Sequence, residues 1–168
     1  MGSGKSTIGP QLARKLRYTF IDLDRMIEAN EKSVVSEIFA RKGEAYFREL
    51  ESRTLDEVCK TGGGLVVALG GGAVTDSRNR TTMKKFGTTV YLETRFENIF
   101  ERVKRDSSRP MLLGPDSNRL DEPALKAKIR SLLSGRERFY LESDLRVNTA
   151  DKTVIQCAKE IEARLRGM

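Results

Sequence analysis

The opening residues MGSGKST place a lysine and two hydroxyl side chains directly behind two glycines. Glycines let backbone N–H groups turn toward phosphate oxygens, and a helix that follows directs its positive end to the same place. The segment matches the second half of G-x-x-x-x-G-K-[ST], in which the lysine reaches the β- and γ-phosphates and the hydroxyl ligates Mg²⁺. Residues Gly2 to Thr7 therefore predict a phosphate-binding loop, with Lys5 and Ser6 as its reactive side chains. The alternative is a glycine-rich helix start with a surface lysine.

Two aspartates follow in FIDLD, at Asp22 and Asp24. Because side chains alternate along a strand, we expect both carboxylates on the same side of a strand end. Beside a phosphate loop, one carboxylate can serve a metal and the other a substrate hydroxyl. The alternative is a solvated turn with a helix cap.

A glycine triplet, Gly70, Gly71 and Gly72, follows the continuous apolar run GLVVAL. Such a run suits a strand buried on both faces. Three glycines at the carboxyl end of a strand permit close approach of backbone to a ligand. A glycine turn that needs positive φ explains the triplet equally well.

The segment SSRPMLLGPDSN places Arg109 in an irregular stretch rich in turn-forming residues. Irregular segments of this length in compact domains are often active-site lids. An arginine on a lid can neutralise the charge that develops on a transferring phosphoryl group. Taken alone, Arg109 is better interpreted as a surface arginine.

Composition narrows the chemistry that the chain can carry out. At 168 residues it predicts a single domain, and the absence of histidine excludes His-based triads, His general bases and His-ligated zinc. The net charge of +7 fits an anionic small substrate better than a nucleic acid, because the basic residues are spread along helical stretches without interleaved aromatics. No apolar stretch reaches membrane-spanning length, so we expect a cytoplasmic protein with no membrane partner.

Helical and strand patterns alternate along the chain, which predicts a mostly parallel sheet with helices on both faces. Gly43 is predicted to separate two helices, and Asp76 or Ser77 to cap the next one. In such a sheet the strand that feeds a phosphate loop normally lies inside the sheet. No strand pattern precedes the first helix here, so we expect a gap in the sheet lined by apolar side chains.

The order GSGKST, FIDLD, FRELE, ALGGGAV, SRPMLLG and an arginine before FY resembles the shikimate kinases. The resemblance runs from Met1 to the last helix. It implies a three-layer α/β/α P-loop kinase fold with a mobile lid at about 106–120 and a substrate-binding region at about 24–60. It also implies that a monomer uses ATP and Mg²⁺ to phosphorylate the 3-hydroxyl of shikimate.

The resemblance also implies roles for individual residues. Lys5 matches the catalytic phosphate-loop lysine, within a nucleotide-binding segment made of Gly2, Ser3, Gly4, Lys5, Ser6 and Thr7. Ser6 and Asp22 match the Mg²⁺ ligands, Asp24 the candidate general base, and Arg102 the residue that stacks on adenine. The shikimate site is implied to contain Asp24, Arg48, Gly70, Gly71, Gly72, Arg109 and Arg136, with Arg109 as the lid arginine.

Two features depart from the family pattern. The family has a strand and the first loop glycine just before the point that matches Met1, so we interpret Met1 as an internal family position. Pro10 falls past the first turn of the loop helix, where a local kink is expected. The open alternatives are a gluconate or nucleoside monophosphate kinase, against which GGGAV and FRELE argue, and a kinase-like protein that binds without catalysis.

Overall fold

The computed structural model of the protein describes residues 1–105 and 120–168. The predicted lid at about 106–120, with Arg109 inside it, lies outside the described residues except for Leu120.

Helices and strands alternate in the described residues, as the sequence predicts. The helices are α1 (Lys5–Leu16), α2 (Leu23–Glu31), α3 (Val35–Lys60), α4 (Ser77–Phe86), α5 (Phe96–Lys104), α6 (Glu122–Tyr140) and α7 (Val154–Arg166). The strands are β1 (Thr19–Asp22), β2 (Leu65–Ala68), β3 (Val90–Glu93) and β4 (Leu145–Asn148). A short 3-10 helix spans Ala73–Thr75.

The four strands form two half-sheets. β1 pairs with β2 in parallel, from Thr19 opposite Leu65 to Asp22 opposite Ala68. β3 pairs with β4 in parallel, with Val90 opposite Leu145. Within residues 1–105 and 120–168, no ladder joins the two half-sheets. The expected gap is present as a cavity of about 870 Å³, lined by β2 and β3 together with α1.

Buried apolar side chains form three clusters that hold the helices against the half-sheets. The first joins α1, β4 and α7 through Ile8, Leu12, Val147, Cys157, Ala158 and Ile161. The second joins α2 and α3 through Leu23, Ile27, Ile38, Phe47, Leu55 and Val58. The third joins α5 and α6 through Ile99, Phe100, Val103, Leu125 and Ile129. The first two clusters also contact β2, so each face of that strand has its own core.

Local signals in the sequence account for several helix ends and breaks. Asp76 caps α4, where its carboxylate accepts from the backbone N–H of Arg78 at 2.8 Å. Gly43 adopts φ 81° and ψ 170° inside α3 and divides that helix in two, as predicted. α1 continues through Pro10, and the kink expected there stays a prediction.

The structure corrects the geometry expected for the two aspartates. β1 ends at Asp22, whose carboxylate caps α2 by accepting from the N–H of Arg25 at 3.5 Å, and Asp24 lies in the first turn of α2. The expectation that both lie on one side of a strand end was therefore wrong. Asp22 has the N-cap propensity that starts a helix at the next residue, and this overrides the strand alternation.

Among the described residues, none of the helices combines the length and the apolar character needed to cross a bilayer.

Candidate active site

The head of α1 is built to receive an anion. Gly2 and Gly4 lie in the left-handed region, at φ 64° and 95°, where other residues are strained. Gly4 is the N-cap of α1; it offers no side-chain cap, and the first turn of the helix contains no acidic residue. Its carbonyl accepts from the amides of Thr7 and Ile8 at 3.1 and 2.8 Å. The first-turn amides and the positive end of α1 therefore favour an anion, and Lys5 adds a positive charge beside them. Together they suit a phosphate group.

A hydroxyl and a carboxylate come together beside this loop. Ser6 Oγ donates to Asp22 Oδ2 at 2.7 Å, which joins the first turn of α1 to the end of β1. Hydroxyl and carboxylate oxygens are hard ligands of the kind that Mg²⁺ prefers, and Mg²⁺ commonly uses few protein ligands beside waters and phosphate oxygens. No group of three or more Cys, Asp or Glu side chains suited to a metal occurs in the described part of the chain. The Ser6–Asp22 pair thus fits a Mg²⁺ site in which waters and phosphate oxygens supply the remaining ligands.

Arg102 approaches the same loop from α5. Its Nη1 donates to the carbonyl oxygen of Gly2 at 2.8 Å. The backbone of Ile99, one turn earlier on α5, lies 3.3 Å from a Cβ atom placed on Gly2. The structure thus places Arg102 at the predicted nucleotide side, although 100 residues separate it from the loop.

The glycine triplet forms the floor of a second, charged site, which we call the acid corner: Asp24, Arg48, Glu51, Gly70 to Gly72 and Arg136. A Cβ atom on Gly70 would lie 2.5 Å from Oε1 of Glu51 and 3.0 Å from Oδ1 of Asp24. A Cβ atom on Gly71 would lie 3.4 Å from Nη1 of Arg136. A Cβ atom on Gly72 would collide with the guanidinium of Arg48. Because these three glycines have no Cβ atom, they leave room for the side chains that are predicted to bind shikimate.

Two carboxylates position Arg48 on α3. Its Nη1 donates to Glu51 Oε2 at 2.7 Å, and its Nη2 donates to Glu44 Oε1 at 3.1 Å. Burial opposes the charge on Arg48, but the Glu51 and Glu44 carboxylates outweigh burial, so the pKa of Arg48 is raised above its ordinary value. Arg48 therefore stays cationic and keeps a fixed orientation toward the glycine floor.

Glu51 is a site residue that the motif reading passed over. It is fully buried, and no hydrogen-bond partner for its Oε1 occurs among the described residues. Burial raises the pKa of Glu51 above its ordinary value, the Arg48 guanidinium opposes that shift, and the Asp24 carboxylate adds to it. The signal was present in FRELE, because residues three apart share one helix face.

Three side chains fix the glycine turn itself. Tyr140 Oη donates to the carbonyl oxygen of Gly71 at 2.6 Å, and Thr75 Oγ1 donates to that of Gly72 at 2.7 Å. The buried side chain of Asn79 donates through Nδ2 to the carbonyl oxygen of Ala73 at 2.9 Å. These contacts join residues up to 69 positions apart, and short motifs do not reveal them.

The acid corner and the phosphate loop adjoin each other at Gly71. The backbone nitrogen of Met1 lies 3.1 Å from a Cβ atom placed on Gly71, and Tyr140 Oη lies 3.3 Å from the same point. Arg136 is nearly buried, at 9% exposure, and faces this junction from α6. Of the predicted site residues, all except Arg109 are therefore described, and they assemble into two adjoining groups.

The chain resembles known proteins over nearly its whole length. The family model for shikimate kinase matches residues 1–166. The shikimate kinase of Persephonella marina is 41% identical over 166 residues, covering 99% of this chain and 94% of that protein. The shikimate kinase of Geobacter sulfurreducens is 42% identical, covering 99% of this chain and 87% of that protein.

Solved structures agree with these matches. Shikimate kinase from Acinetobacter baumannii in complex with shikimate has a TM-score of 0.89 at 33% identity, covering 99% of this chain and 89% of that one. Shikimate kinase from Bacteroides thetaiotaomicron has a TM-score of 0.88 at 33% identity, covering 99% and 94%. The predicted α/β P-loop kinase fold is thereby confirmed. The chain belongs to the shikimate kinase family.

Proposed function

We propose that this protein transfers the γ-phosphoryl group of ATP to the 3-hydroxyl of shikimate, giving shikimate 3-phosphate and ADP. The observation that carries the proposal is the junction at Gly71, where an anion-binding helix head adjoins a corner holding two arginines and an aspartate. Membership of the shikimate kinase family supports ATP as the phosphoryl donor. The Acinetobacter baumannii relative was solved in complex with shikimate, which supports the acceptor.

On the nucleotide side, the amides of Gly2 to Thr7 bind the phosphates and Lys5 contacts the β- and γ-phosphates. Arg102 stacks on the adenine. Ser6 and Asp22 would hold Mg²⁺, which would supply positive charge to neutralise the phosphates of ATP. Their hydrogen bond at 2.7 Å supports the assignment, since it brings the two oxygens next to each other beside the phosphate loop.

On the acceptor side, Arg48 and Arg136 bind the shikimate carboxylate, and the glycine triplet lets the ring approach the backbone. Asp24 accepts the proton of the 3-hydroxyl as its oxygen attacks the γ-phosphorus, while the bond from that phosphorus to the ADP oxygen breaks. Arg109, in the predicted lid, neutralises charge on the transferring group. Residues 24–60 contribute Asp24 and Arg48 to the acceptor site, from α2 and α3.

We further propose that the protein acts as a cytoplasmic monomer, with ATP and shikimate as its partners and no nucleic-acid or membrane partner. Both halves of the site come from one chain, which supports a monomer.

A coupled ADP-release assay tests the proposed activity, with shikimate, gluconate and AMP as competing acceptors in the presence of MgATP. Of the three acceptors, we expect only shikimate to cause ADP release. We also expect a phosphorus NMR signal from shikimate 3-phosphate. A second candidate is a kinase-like protein of this family that binds nucleotide or a partner without catalysis. Calorimetric binding of ATP and shikimate without ADP release would support that candidate and defeat the first.

A further inference from the structure

Tyr140, near the end of α6, joins the glycine turn to the second half-sheet. Its hydroxyl donates to the carbonyl oxygen of Gly71 at 2.6 Å. Its ring stacks on that of Tyr91 in β3, with the ring centroids 5.1 Å apart and the ring planes 15° apart. The stack limits how the ring can move, so the hydroxyl reaches Gly71 from a fixed position. Tyr140 therefore holds the middle of the glycine turn from the side of α6.

The surroundings of this hydroxyl keep it a hydrogen-bond donor. Burial raises the pKa of Tyr140 above its ordinary 10.0, and the positive charge of Arg136 opposes that rise without cancelling it. At neutral pH the hydroxyl thus keeps the proton that it donates to Gly71. Nη1 of Arg136 and Oη of Tyr140 lie 3.4 and 3.3 Å from one point, a Cβ atom placed on Gly71. The hydroxyl therefore lies beside one of the two arginines proposed for the acceptor carboxylate.

The attachment of α6 to this region does not depend on the Tyr140 hydroxyl. Arg80 of α4 donates through Nη1 to the carbonyl oxygens of Val74 and Thr75, at 2.8 and 3.1 Å. The same guanidinium lies over the ring of Phe139, with its Cζ 4.4 Å from the ring centroid. Arg80 thus joins the end of α6 to the residues that follow the glycines. A purely structural role for the Tyr140 hydroxyl would duplicate this link, which leaves the glycine turn as its particular target.

Holding one carbonyl of the turn also fixes an N–H group. The C=O of Gly71 and the N–H of Gly72 belong to one planar peptide unit, so the direction of the first sets the direction of the second. Within residues 1–105 and 120–168, the N–H of Gly72 has no hydrogen-bond partner. A donor that is held in one direction before a ligand arrives binds it with a smaller loss of entropy. The Gly72 N–H therefore suits an acceptor oxygen in the acid corner.

We propose that Tyr140 is a positioning residue for the acceptor. Its hydroxyl holds the peptide unit between Gly71 and Gly72, so that the Gly72 N–H donates to an oxygen of shikimate. This inference rests on the proposed function, which supplies the acceptor. Tyr140 acts through the backbone and takes no part in the transfer of the proton or of the phosphoryl group. Its loss should therefore weaken acceptor binding and leave the chemical step unchanged.

Tyr140→Phe tests the proposal, because it removes the hydroxyl and keeps the ring on Tyr91. We expect shikimate affinity, measured by calorimetry, to fall about tenfold, as for the loss of one buried hydrogen bond. The KM for shikimate should rise with it, while kcat and the affinity for ATP stay within about twofold. Tyr91→Phe is the matched control, since the Tyr91 hydroxyl has no hydrogen bond in the described part of the chain. It should change none of these values.

A third variant separates the hydrogen bond from the packing of the ring. Incorporation of 4-aminophenylalanine in place of Tyr140 keeps the ring and supplies an N–H donor at the same position. We expect this variant to bind shikimate within about threefold of the unaltered protein, because a donor again reaches the carbonyl. It retains both the ring and the hydrogen bond, so it decides the matter even where Tyr140→Phe folds poorly. Melting temperatures followed by circular dichroism show which variants are folded.

Several results would overturn the proposal. They are unchanged shikimate affinity in Tyr140→Phe, an equal loss in Tyr91→Phe, equal losses for ATP and shikimate, and no recovery with 4-aminophenylalanine. The unaltered protein distinguishes this proposal from the proposed function. If it does not bind shikimate, both are wrong; if it binds shikimate and Tyr140→Phe binds equally well, only the role of Tyr140 is wrong. Calorimetry needs no turnover, so the affinities decide the role of Tyr140 whether or not ADP is released.

Discussion

The two half-sheets differ in how their strand ends are held. In the β3–β4 half, Thr149 donates to the carbonyl oxygen of Glu93 through N at 2.8 Å and through Oγ1 at 3.0 Å. At the opposite end, the Asp144 carboxylate accepts from Thr89 N at 2.7 Å and from Thr89 Oγ1 at 2.6 Å. Each end of this half is thus closed by contacts between its own two strands.

The β1–β2 half ends in a different way. Asp22 contacts the head of α1, and the glycines after β2 contact side chains from α2, α3 and α6. The carboxyl end of this half is therefore held by other elements and lined by charged groups. The comparison teaches that the candidate chemistry collects at the half whose carboxyl strand ends do not satisfy one another, and three of the seven predicted acceptor residues, Gly70, Gly71 and Gly72, follow its strand β2.

Removing one arginine of the acid corner should have the largest effect. Arg48→Ala leaves Glu51 buried without its guanidinium partner and removes one of two groups proposed for the shikimate carboxylate. We expect a loss of about 2–5 kcal/mol in shikimate affinity and little change in ATP affinity, both measured by calorimetry.

Arg95→Ala is the matched control, since Arg95 pairs with Asp151 at 2.8 Å while both side chains are well exposed. It should change neither affinity, because exposed ion pairs contribute little. If Arg48→Ala weakened ATP and shikimate equally, the assignment of Arg48 to the acceptor site would be wrong.

A single methyl group in the glycine floor should have an intermediate effect. Gly72 has φ −95°, which alanine tolerates, so the cost of Gly72→Ala arises from the collision with Arg48. We expect a loss of about 1–3 kcal/mol in stability and a weaker shikimate complex, measured by denaturant unfolding and calorimetry.

Gly87→Ala provides the comparison outside the site. Gly87 has φ −168°, and a Cβ atom there meets nothing within 4 Å. Its substitution should change stability by less than about 0.5 kcal/mol. Equal losses in the two variants would show that the glycine floor does not position Arg48.

The stability contributions of Glu51 in the acid corner and of Asp144 in the β3–β4 half should depend on pH in opposite directions. This is the smallest of the expected effects. Burial raises the pKa of Glu51 above its ordinary 4.5, so its contribution to stability is present below that value and is lost as pH rises through the raised pKa. Hydrogen bonds from Thr89 lower the pKa of Asp144 below its ordinary 3.8, so its contribution is present above that value and is lost as pH falls.

Melting temperatures measured from acid to neutral pH check this contrast. Relative to the unaltered protein, Glu51→Gln should remove a decline of stability above pH 4.5, and Asp144→Asn should remove a decline below pH 3.8. If the melting temperatures of both variants followed the same pH dependence as the unaltered protein, the environments assigned to Glu51 and Asp144 would be wrong.

Much of the local structure could be predicted from short stretches of sequence, because the residues that start, cap or break a helix lie within the stretch itself. The helix start after Gly4, the cap at Asp76 and the break at Gly43 all depend on neighbouring residues. The alternation of elements predicted the fold class, and the combination of motifs predicted the family, which is confirmed. Even the gap in the sheet followed from the missing strand pattern.

Features that depend on distant contacts could not be predicted in this way. The hydrogen bond from Tyr140 to Gly71 and that from Arg102 to Gly2 join residues 69 and 100 positions apart. Asp24 was misplaced for a local reason, because a capping aspartate competes with the strand pattern. The predicted roles of Lys5, Asp24 and Arg136 in catalysis and binding stay predictions.

The bend at Gly43 has a mechanical consequence. It divides α3 into two rods, and a side chain at that point would touch nothing within 4 Å. The front rod is clasped to α2 through Lys42 and Glu31, whose Nζ and Oε2 lie 2.9 Å apart, whereas the rear rod carries Arg48 and Glu51. Phe39 of the front rod packs on Phe47 of the rear rod, with ring centroids 4.9 Å apart, and Lys42 Nζ donates to Tyr46 Oη at 2.9 Å. These contacts fix the angle across the bend, so α2 and the front rod are held in a set position relative to Arg48.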